Sequence, residues 1–232
     1  MRFRVVATDY DGTLATDGRV AKKTLETLAR VRESGRKLLL VTGRELESLE
    51  SVFPQLSIFD LIVAENGALL YHPSTGEERV LGKAPPAEFV KILKRAGAAS
   101  LSVGRSIVAT VKPHHRAVYK AIEELGLNLQ VILNRESVMV LPVGVDKATG
   151  FRAALAELQL PLASAVGIGD AENDYAFLNL CGLSVAVGNA IPSLKERVHL
   201  VTSGKDGAGV AEVLRKLLVS EDSFDVAERR AQ

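Results

Sequence analysis

Phe3-Arg4-Val5-Val6-Ala7-Thr8-Asp9-Tyr10-Asp11-Gly12-Thr13-Leu14 runs an apolar segment straight into two aspartates and a glycine turn. In an extended strand side chains alternate faces with period two, so residues 9 and 11 start out on the same side. Two carboxylates held together repel unless a cation lies between them or one keeps a proton. Either arrangement is chemistry; the alternative is an Asp-rich turn in which Asp11 or Thr13 caps the segment that follows.

The pattern of an apolar run ending in polar residues recurs outward from this point. Leu38–Val41 leads to Thr42-Gly43-Arg44, Leu61–Ala64 to Glu65-Asn66-Gly67, Ala165–Gly169 to Asp170, Leu183–Val187 to Gly188-Asn189, and His199–Val201 to Thr202-Ser203. Runs of this length that are apolar on both faces read as parallel strands covered by helices. The helices lie between them. Val20, Thr24, Leu25, Leu28 and Val31 recur at helical spacing before Gly35, and Lys147–Leu158, Asp174–Leu180 and Val210–Leu218 read similarly. Alternating strands and helices predict an α/β fold with a doubly wound parallel sheet. Ligands in such sheets bind beyond the carboxyl ends of the strands, where Asp9, Thr42, Asp170 and Asn189 fall.

The middle of the chain breaks this rhythm. A helix opening at Ala84-Pro85-Pro86 and reaching Arg95 is followed by strands at Ser100–Val103 and Ile107–Val111. A helix over 113–125 then precedes strands at Leu129–Leu133 and Val138–Leu141. Two successive αββ units predict an α+β module with an antiparallel sheet, inserted at 83–143 between core segments 1–82 and 144–219. It is either a lid over the ligand edge or a second domain with its own partner. Residues 220–232 read as a polar, frayed tail.

Composition narrows the function. The 232 residues are 47% hydrophobic and 25% charged with a net charge of +1, which argues against a dedicated nucleic-acid surface. There is no tryptophan and only 5% aromatic residues, so a base-stacking platform is not expected either. The lone Cys181 makes no internal disulfide. No run approaches the ~20 apolar residues of a membrane span, and Arg2, Arg4, Asp9 and Asp11 interrupt any signal-like stretch. The expectation is a cytoplasmic protein, monomer or homodimer, with neither nucleic-acid nor membrane partners.

Four segments require one explanation: Asp9-x-Asp11-Gly12-Thr13, Thr42-Gly43-Arg44, Lys147, and Gly169-Asp170-x-x-Asn173-Asp174. Together and in this order they resemble the haloacid dehalogenase (HAD) superfamily of phosphatases. The position of the insert, between the second and third motifs, looks like the type-2 cap of the Cof-like subfamily, also called IIB. Glu65-Asn66-Gly67-Ala68, Val187-Gly188-Asn189-Ala190 and Gly207-Ala208-Gly209-Val210 match habits of the same group. The stretch Val143–Gly150 looks closer to phosphoglycolate-phosphatase-like members than to the sugar-phosphate Cof members, and this and the short cap both lean towards a small substrate.

The resemblance implies a Mg²⁺-dependent phosphomonoester hydrolase acting on a small phosphorylated metabolite, with phosphoglycolate the first guess and sugar phosphates the second. It implies Asp9 as nucleophile, forming an aspartyl-phosphate, and Asp11 as the general acid and then base, protonated when substrate binds. The implied metal ligands are Asp9, the backbone carbonyl of Asp11, Asp170, and Asp174, the last either directly, through water, or only as support for Lys147. Thr42, Gly43 and Lys147 would bind phosphate, with Asn173 grouped beside them. Arg44 either reaches phosphate or pairs with a carboxylate, and Asn189 touches substrate, orients Asp170, or simply occupies a turn. Arg105 and Arg135, in the insert's hairpin turns, are candidates for a substrate carboxylate or second phosphate. The alternatives are a phosphomutase of the same superfamily and, from another class, a receiver-like signalling domain.

Overall fold

Val5–Thr8 forms the first strand, β1, and every one of its residues is buried, as an apolar run covered on both faces must be. The computed structural model describes residues 1–220 and Phe224. From β1 the chain passes through α1 (Lys22–Glu33), β2 (Lys37–Val41), α2 (Leu46–Val52) and β3 (Leu61–Ala64), then turns back through β4 (Leu69–His72) and β5 (Glu77–Val80). An inserted unit follows: α3 (Ala87–Arg95), β6 (Ser102–Val103), β7 (Val108–Val111), α4 (His115–Glu124), β8 (Leu129–Asn134) and β9 (Ser137–Pro142). The core resumes with α5 (Lys147–Glu157), β10 (Ala165–Gly169), α6 (Tyr175–Leu178), β11 (Leu183–Ala186), α7 (Pro192–Lys195), β12 (Leu200–Val201) and α8 (Asp206–Val219).

Among the described residues the core sheet has eight strands in the order β12-β11-β10-β1-β2-β3-β4-β5. From β12 to β3 neighbouring strands are parallel, and β4 and β5 are added antiparallel. The order reverses on either side of β1, so the carboxyl ends of β1, β2 and β10 meet at the crevice where doubly wound sheets bind ligands. Helix α1 joins α8 through a Thr24 hydroxyl that donates to the Gly207 carbonyl at 3.1 Å. Fully buried Leu39, Val63, Val166 and Val185 lie in one continuous core with Phe151 and Phe177, each such side chain contributing roughly 1.5–3 kcal/mol of burial.

The inserted sheet is antiparallel, in the order β6-β7-β9-β8. Its own core is small: Phe89 and Leu93 of α3, Val118 and Ala121 of α4, and Val108, Val138 and Val140 of the sheet. A separate apolar cluster of Ile107, Met139 and Leu141 with Ala68 and Val145 seals this cap against the core.

Several expectations shift at their edges. The hairpin β4–β5 and the short helices α2 and α7 lie outside the predicted elements. All four residues of β5 are exposed, so it has no apolar run to read. Helix α8 starts at Asp206 rather than Val210, and its first turn packs closely because Gly207 and Gly209 are buried, where a Cβ would stand 2.7 Å from the Leu14 carbonyl oxygen and 2.5 Å from that of Gly204. In the predicted tail, Phe224 is buried and meets Phe3 edge-on at 6.3 Å; 221–223 and 225–232 lie outside the described residues.

Candidate active site

Asp9 leaves the end of β1 with its amide bonded to the Ile168 carbonyl at 2.9 Å, which fixes it beside the end of β10. Lys147 is the first residue of α5, and that helix start is set by a capping box. The Asp146 carboxylate accepts from the Thr149 amide at 2.8 Å, and the Thr149 hydroxyl accepts from the Asp146 amide at 2.8 Å. A cation at a helix N-terminus opposes the macrodipole. Lys147 is nevertheless 1% exposed, with Nζ donating to Asp9 Oδ1 at 2.5 Å and to Asp174 Oδ1 at 2.6 Å. Burial alone would lower the pKa of the ammonium, but Asp174 and Asp9 outweigh it and hold Lys147 above the usual lysine value.

The approach of α5 is close because residue 67 is glycine. A Cβ there would stand 1.8 Å from the Asp146 carbonyl oxygen, on a backbone at φ +106°. Any side chain at this position would push the start of α5, and Lys147 with it, away from Asp9.

Asp174 is fully buried and has both oxygens occupied: Oδ1 by Lys147, and Oδ2 by the amides of Asp170 (2.9 Å) and Ala171 (3.0 Å). Asp170, 1% exposed, accepts the Thr13 hydroxyl at 2.9 Å on Oδ1 and the Arg135 guanidinium on Oδ2. Carboxylate oxygens of Asp9, Asp170 and Asp174 all lie within 4.8 Å of one another. Burial holds Asp9 well above the usual carboxylate range, with Lys147 pulling the other way and Asp174 and Asp170 adding to the rise. Burial and then Asp174 push Asp170 up to about 6 against Thr13 and Arg135. Groupings of buried like charge with shifted pKa values cluster at functional sites.

Asp11 stands apart from this trio. Its carboxylate is half exposed and is gripped by both arms of the Arg44 guanidinium, each at 2.7 Å, a bidentate charge-assisted pair. Of the two roles open to Arg44, the structure shows the carboxylate partner. Thr42 is fully buried, with its hydroxyl accepting the Arg44 amide at 3.1 Å. Gly43 and Arg44 face the cavity. Asn173 lines the same cavity and donates to Asn66 Oδ1 at 3.0 Å, leaving its own buried Oδ1 without a partner. Asn189 acts as a strut. It donates to the Gly12 carbonyl (2.7 Å) and to Asp206 (2.8 Å), and accepts the Asp206 amide at 2.7 Å, tying the Asp9–Gly12 loop to the start of α8.

Glu65 carries a role that the motif Glu65-Asn66-Gly67 signals without specifying. It and Asn66 both adopt left-handed backbone, at φ +52° and +53°, worth about 1–3 kcal/mol of strain each. That geometry lets the Glu65 and Asn66 amides bond the Arg44 and Thr42 carbonyls at 2.8 and 3.0 Å. It also turns the fully buried Glu65 carboxylate toward the cap. There it accepts the amides of Arg105 (2.7 Å), Ser106 (2.7 Å) and Ile107 (3.1 Å). Residue 104 must be glycine for this, since a Cβ would meet the carboxylate at 2.4 Å. Arg105 itself forks onto Glu78 at 2.9 Å through both arms and also meets Glu47.

Between core and cap these residues enclose a cavity of roughly 850 Å³. Asp9, Asp11, Lys147 and Asp170 form its core wall; Ser102, Asn134, Arg135 and Met139 belong to its cap wall. A family model described as haloacid dehalogenase-like hydrolase matches residues 6–124 and 106–214. The chain belongs to that hydrolase family. It is 32% identical over 221 residues to phosphoglycolate phosphatase 2 of Saccharolobus solfataricus, with 92% of each chain covered. Its fold is shared with a haloacid dehalogenase-like hydrolase from Bacteroides thetaiotaomicron, at TM-score 0.78, 18% identity, and coverage of 93% and 99% of the two chains. It is shared equally with a HAD subclass IIB sugar phosphatase, at TM-score 0.77, 16% identity, and coverage of 94% and 100%. Membership of a hydrolase family sets aside the signalling-domain alternative. No helix among the described residues is long and apolar enough to cross a membrane.

Proposed function

We propose that this hydrolase is a Mg²⁺-dependent phosphatase of small phosphorylated metabolites, with phosphoglycolate the first substrate to try and sugar phosphates the second. One observation carries the proposal: a buried lysine bridging two aspartates, with a third aspartate in the same cluster, at the floor of a cavity closed by an inserted cap. The likeness to a Saccharolobus phosphoglycolate phosphatase and to a subclass IIB sugar phosphatase supports the same reading.

The donor set fits a hard divalent ion. Three carboxylates converge with no nitrogen or sulfur donor in the group, and Mg²⁺ prefers oxygen ligands. Asp9 and Asp170 would hold the ion, with the Asp11 main-chain carbonyl as the resemblance implies. Asp174 already uses both oxygens on Lys147 and on two amides, which suits it to supporting the site. When bound, the ion supplies positive charge against the phosphate oxygens.

The remaining chemistry belongs to the chain. Lys147 pulls Asp9 toward its ionised form against burial, fixes it in place, and sets a second positive charge at the phosphate. Asp9 attacks phosphorus, so that a bond from its carboxylate oxygen forms as the ester P–O bond breaks. The departing alkoxide takes the Asp11 proton. Asp11 must exchange its Arg44 partner for that leaving oxygen, which makes Arg44 the group that releases or retains the acid. Asp11 then takes a proton from water, whose oxygen attacks phosphorus and frees Asp9 and inorganic phosphate.

The test is release of inorganic phosphate from a panel of phosphoglycolate, hexose phosphates and p-nitrophenyl phosphate, with Mg²⁺ or with chelator. Release that needs Mg²⁺ is expected. No release from any compound overturns the proposal, and transfer of phosphate between hydroxyls without release would make the chain a mutase.

A further inference from the structure

Arg105 and Arg135 occupy equivalent places, each in a hairpin turn of the cap, yet their surroundings differ. Arg105 is fully committed. Its guanidinium is forked onto Glu78 and meets Glu47, and its amide is held by Glu65, so it fastens cap to core. Arg135 sits in the tight β8–β9 turn at φ +52° and extends into the cavity. Its side chain remains 55% exposed while its guanidinium reaches the 1% exposed carboxylate of Asp170.

The cavity holds three cationic side chains among the described residues: Lys147, Arg44 and Arg135. Lys147 is bound by Asp9 and Asp174, and Arg44 by Asp11. Arg135 is therefore, among the described residues, the cavity's one cation contributed by the cap, and its partner is a carboxylate that the metal would claim. A guanidinium and a divalent ion cannot both keep that oxygen without repelling each other. Occupation of the cluster thus turns the Arg135 fork toward whatever anion enters. Asp170 and Asp9 offer oxygens within 4.8 Å of each other, so Arg135 stands one small-molecule length from the atom that takes the phosphoryl group. Glu136, next in the turn, also lines the cavity and is the cap wall's only carboxylate among the described residues. The cap wall consequently presents one focused positive fork rather than a broad positive field, which matches a single carboxylate better than a second phosphate.

We propose that Arg135 is the specificity-determining residue of this site, binding the carboxylate of a phosphorylated 2-hydroxy acid through its planar fork. This assignment rests on the phosphatase proposal above. It selects against neutral leaving groups such as sugars, because a guanidinium turned away from Asp170 by the ion is left without a partner when the substrate anion is missing.

The experiment compares phosphoglycolate with hydroxyethyl phosphate, which replaces the carboxylate by a neutral hydroxymethyl group. The wild type should favour phosphoglycolate in kcat/KM by about 10²-fold, the scale of a site built around one charged hydrogen-bonding group. Arg135→Gln should bring that ratio to within about threefold of unity, chiefly through KM for phosphoglycolate, and Arg135→Lys should restore part of it. A second readout avoids turnover. Calorimetric binding of phosphoglycolate to Asp9→Asn should weaken by about tenfold or more when Arg135→Gln is added. An unchanged ratio in Arg135→Gln with unchanged calorimetric affinity overturns the assignment. A wild type that hydrolyses both compounds equally sinks it too, while leaving the phosphatase proposal standing. Release from neither compound, nor from p-nitrophenyl phosphate, sinks both.

Discussion

The core side of the cavity holds a dry cluster, with Lys147 and Asp174 at 1% and 0% exposure and each bonded more than once, whereas the cap wall holds its cation, Arg135, 55% exposed on a turn. The core groups sit on the ends of buried parallel strands and the start of α5, elements whose positions are set by the largest hydrophobic core among the described residues. The cap groups sit on hairpins over a core of seven buried side chains. The proposed chemistry, which must be the same for every substrate, is placed on the rigid wall. The proposed recognition of the substrate is placed where a residue can change partners without disturbing the fold.

The sharpest way to break this contrast is Asp9→Asn. Turnover should fall on the order of 10⁴-fold or more. The melting temperature should hold or rise, because the substitution removes one of three crowded buried carboxylates. Near-normal activity, or loss of fold, would contradict a dedicated nucleophile on a rigid wall. Lys147→Met comes next. It strands Asp9 and Asp174 without their cation, so stability should drop by roughly 3–5 kcal/mol, alongside a loss of about 10²–10³-fold in kcat. Denaturant melts and steady-state kinetics read the two effects separately.

Glu65→Gln probes the seam between the walls. Oε1 of Glu65 accepts one cap amide and Oε2 accepts two; glutamine must present an NH₂ group to one side or the other. The cap should dock more weakly by about 1.5–3 kcal/mol, the value of hydrogen bonds to a charged group. KM should rise more than kcat falls, and limited proteolysis of the cap should speed up; equal proteolysis rates would remove Glu65 as the clamp.

The smallest effect lies outside both walls and serves as a control. Burial lowers the pKa of His199, and its Nδ1 accepts the Ser184 amide at 3.0 Å. The folded value is below the unfolded value of about 6.5, so this contribution to stability is complete above that pH and is lost as pH falls toward the folded value. Thermal melts from about pH 8 to about pH 5 should show a shallower decline in His199→Asn than in the wild type, with activity near neutrality unchanged.

The same contrast explains what could be read from residues alone. Parallel strands buried on both faces announce themselves as unbroken apolar runs, so β1, β2, β3, β10 and β11, and the polar residues that end them, stand out. Strand β5 is exposed along its whole length and α2 has no capping side chain, so neither leaves a pattern. The partners of Glu65 lie about 40 residues away on the cap, and no local signal carries such a contact. Arg105 and Arg135 look alike in sequence because both are arginines in hairpin turns. Only the carboxylates each one meets in three dimensions, Glu47 and Glu78 for one and Asp170 for the other, separate a fastener from the proposed recognition group.

The central claim, that the core wall transfers a phosphoryl group through Asp9, is tested most directly by trapping. The enzyme is mixed with phosphoglycolate and Mg²⁺, quenched in acid during turnover, treated with borohydride, and the peptide spanning Asp9 is sequenced by mass spectrometry. An acyl phosphate at Asp9 is reduced to homoserine at that position, and this conversion should appear only when substrate was present and should be absent in Asp9→Asn. Turnover with an unmodified Asp9, or reduction at another aspartate, would contradict the account.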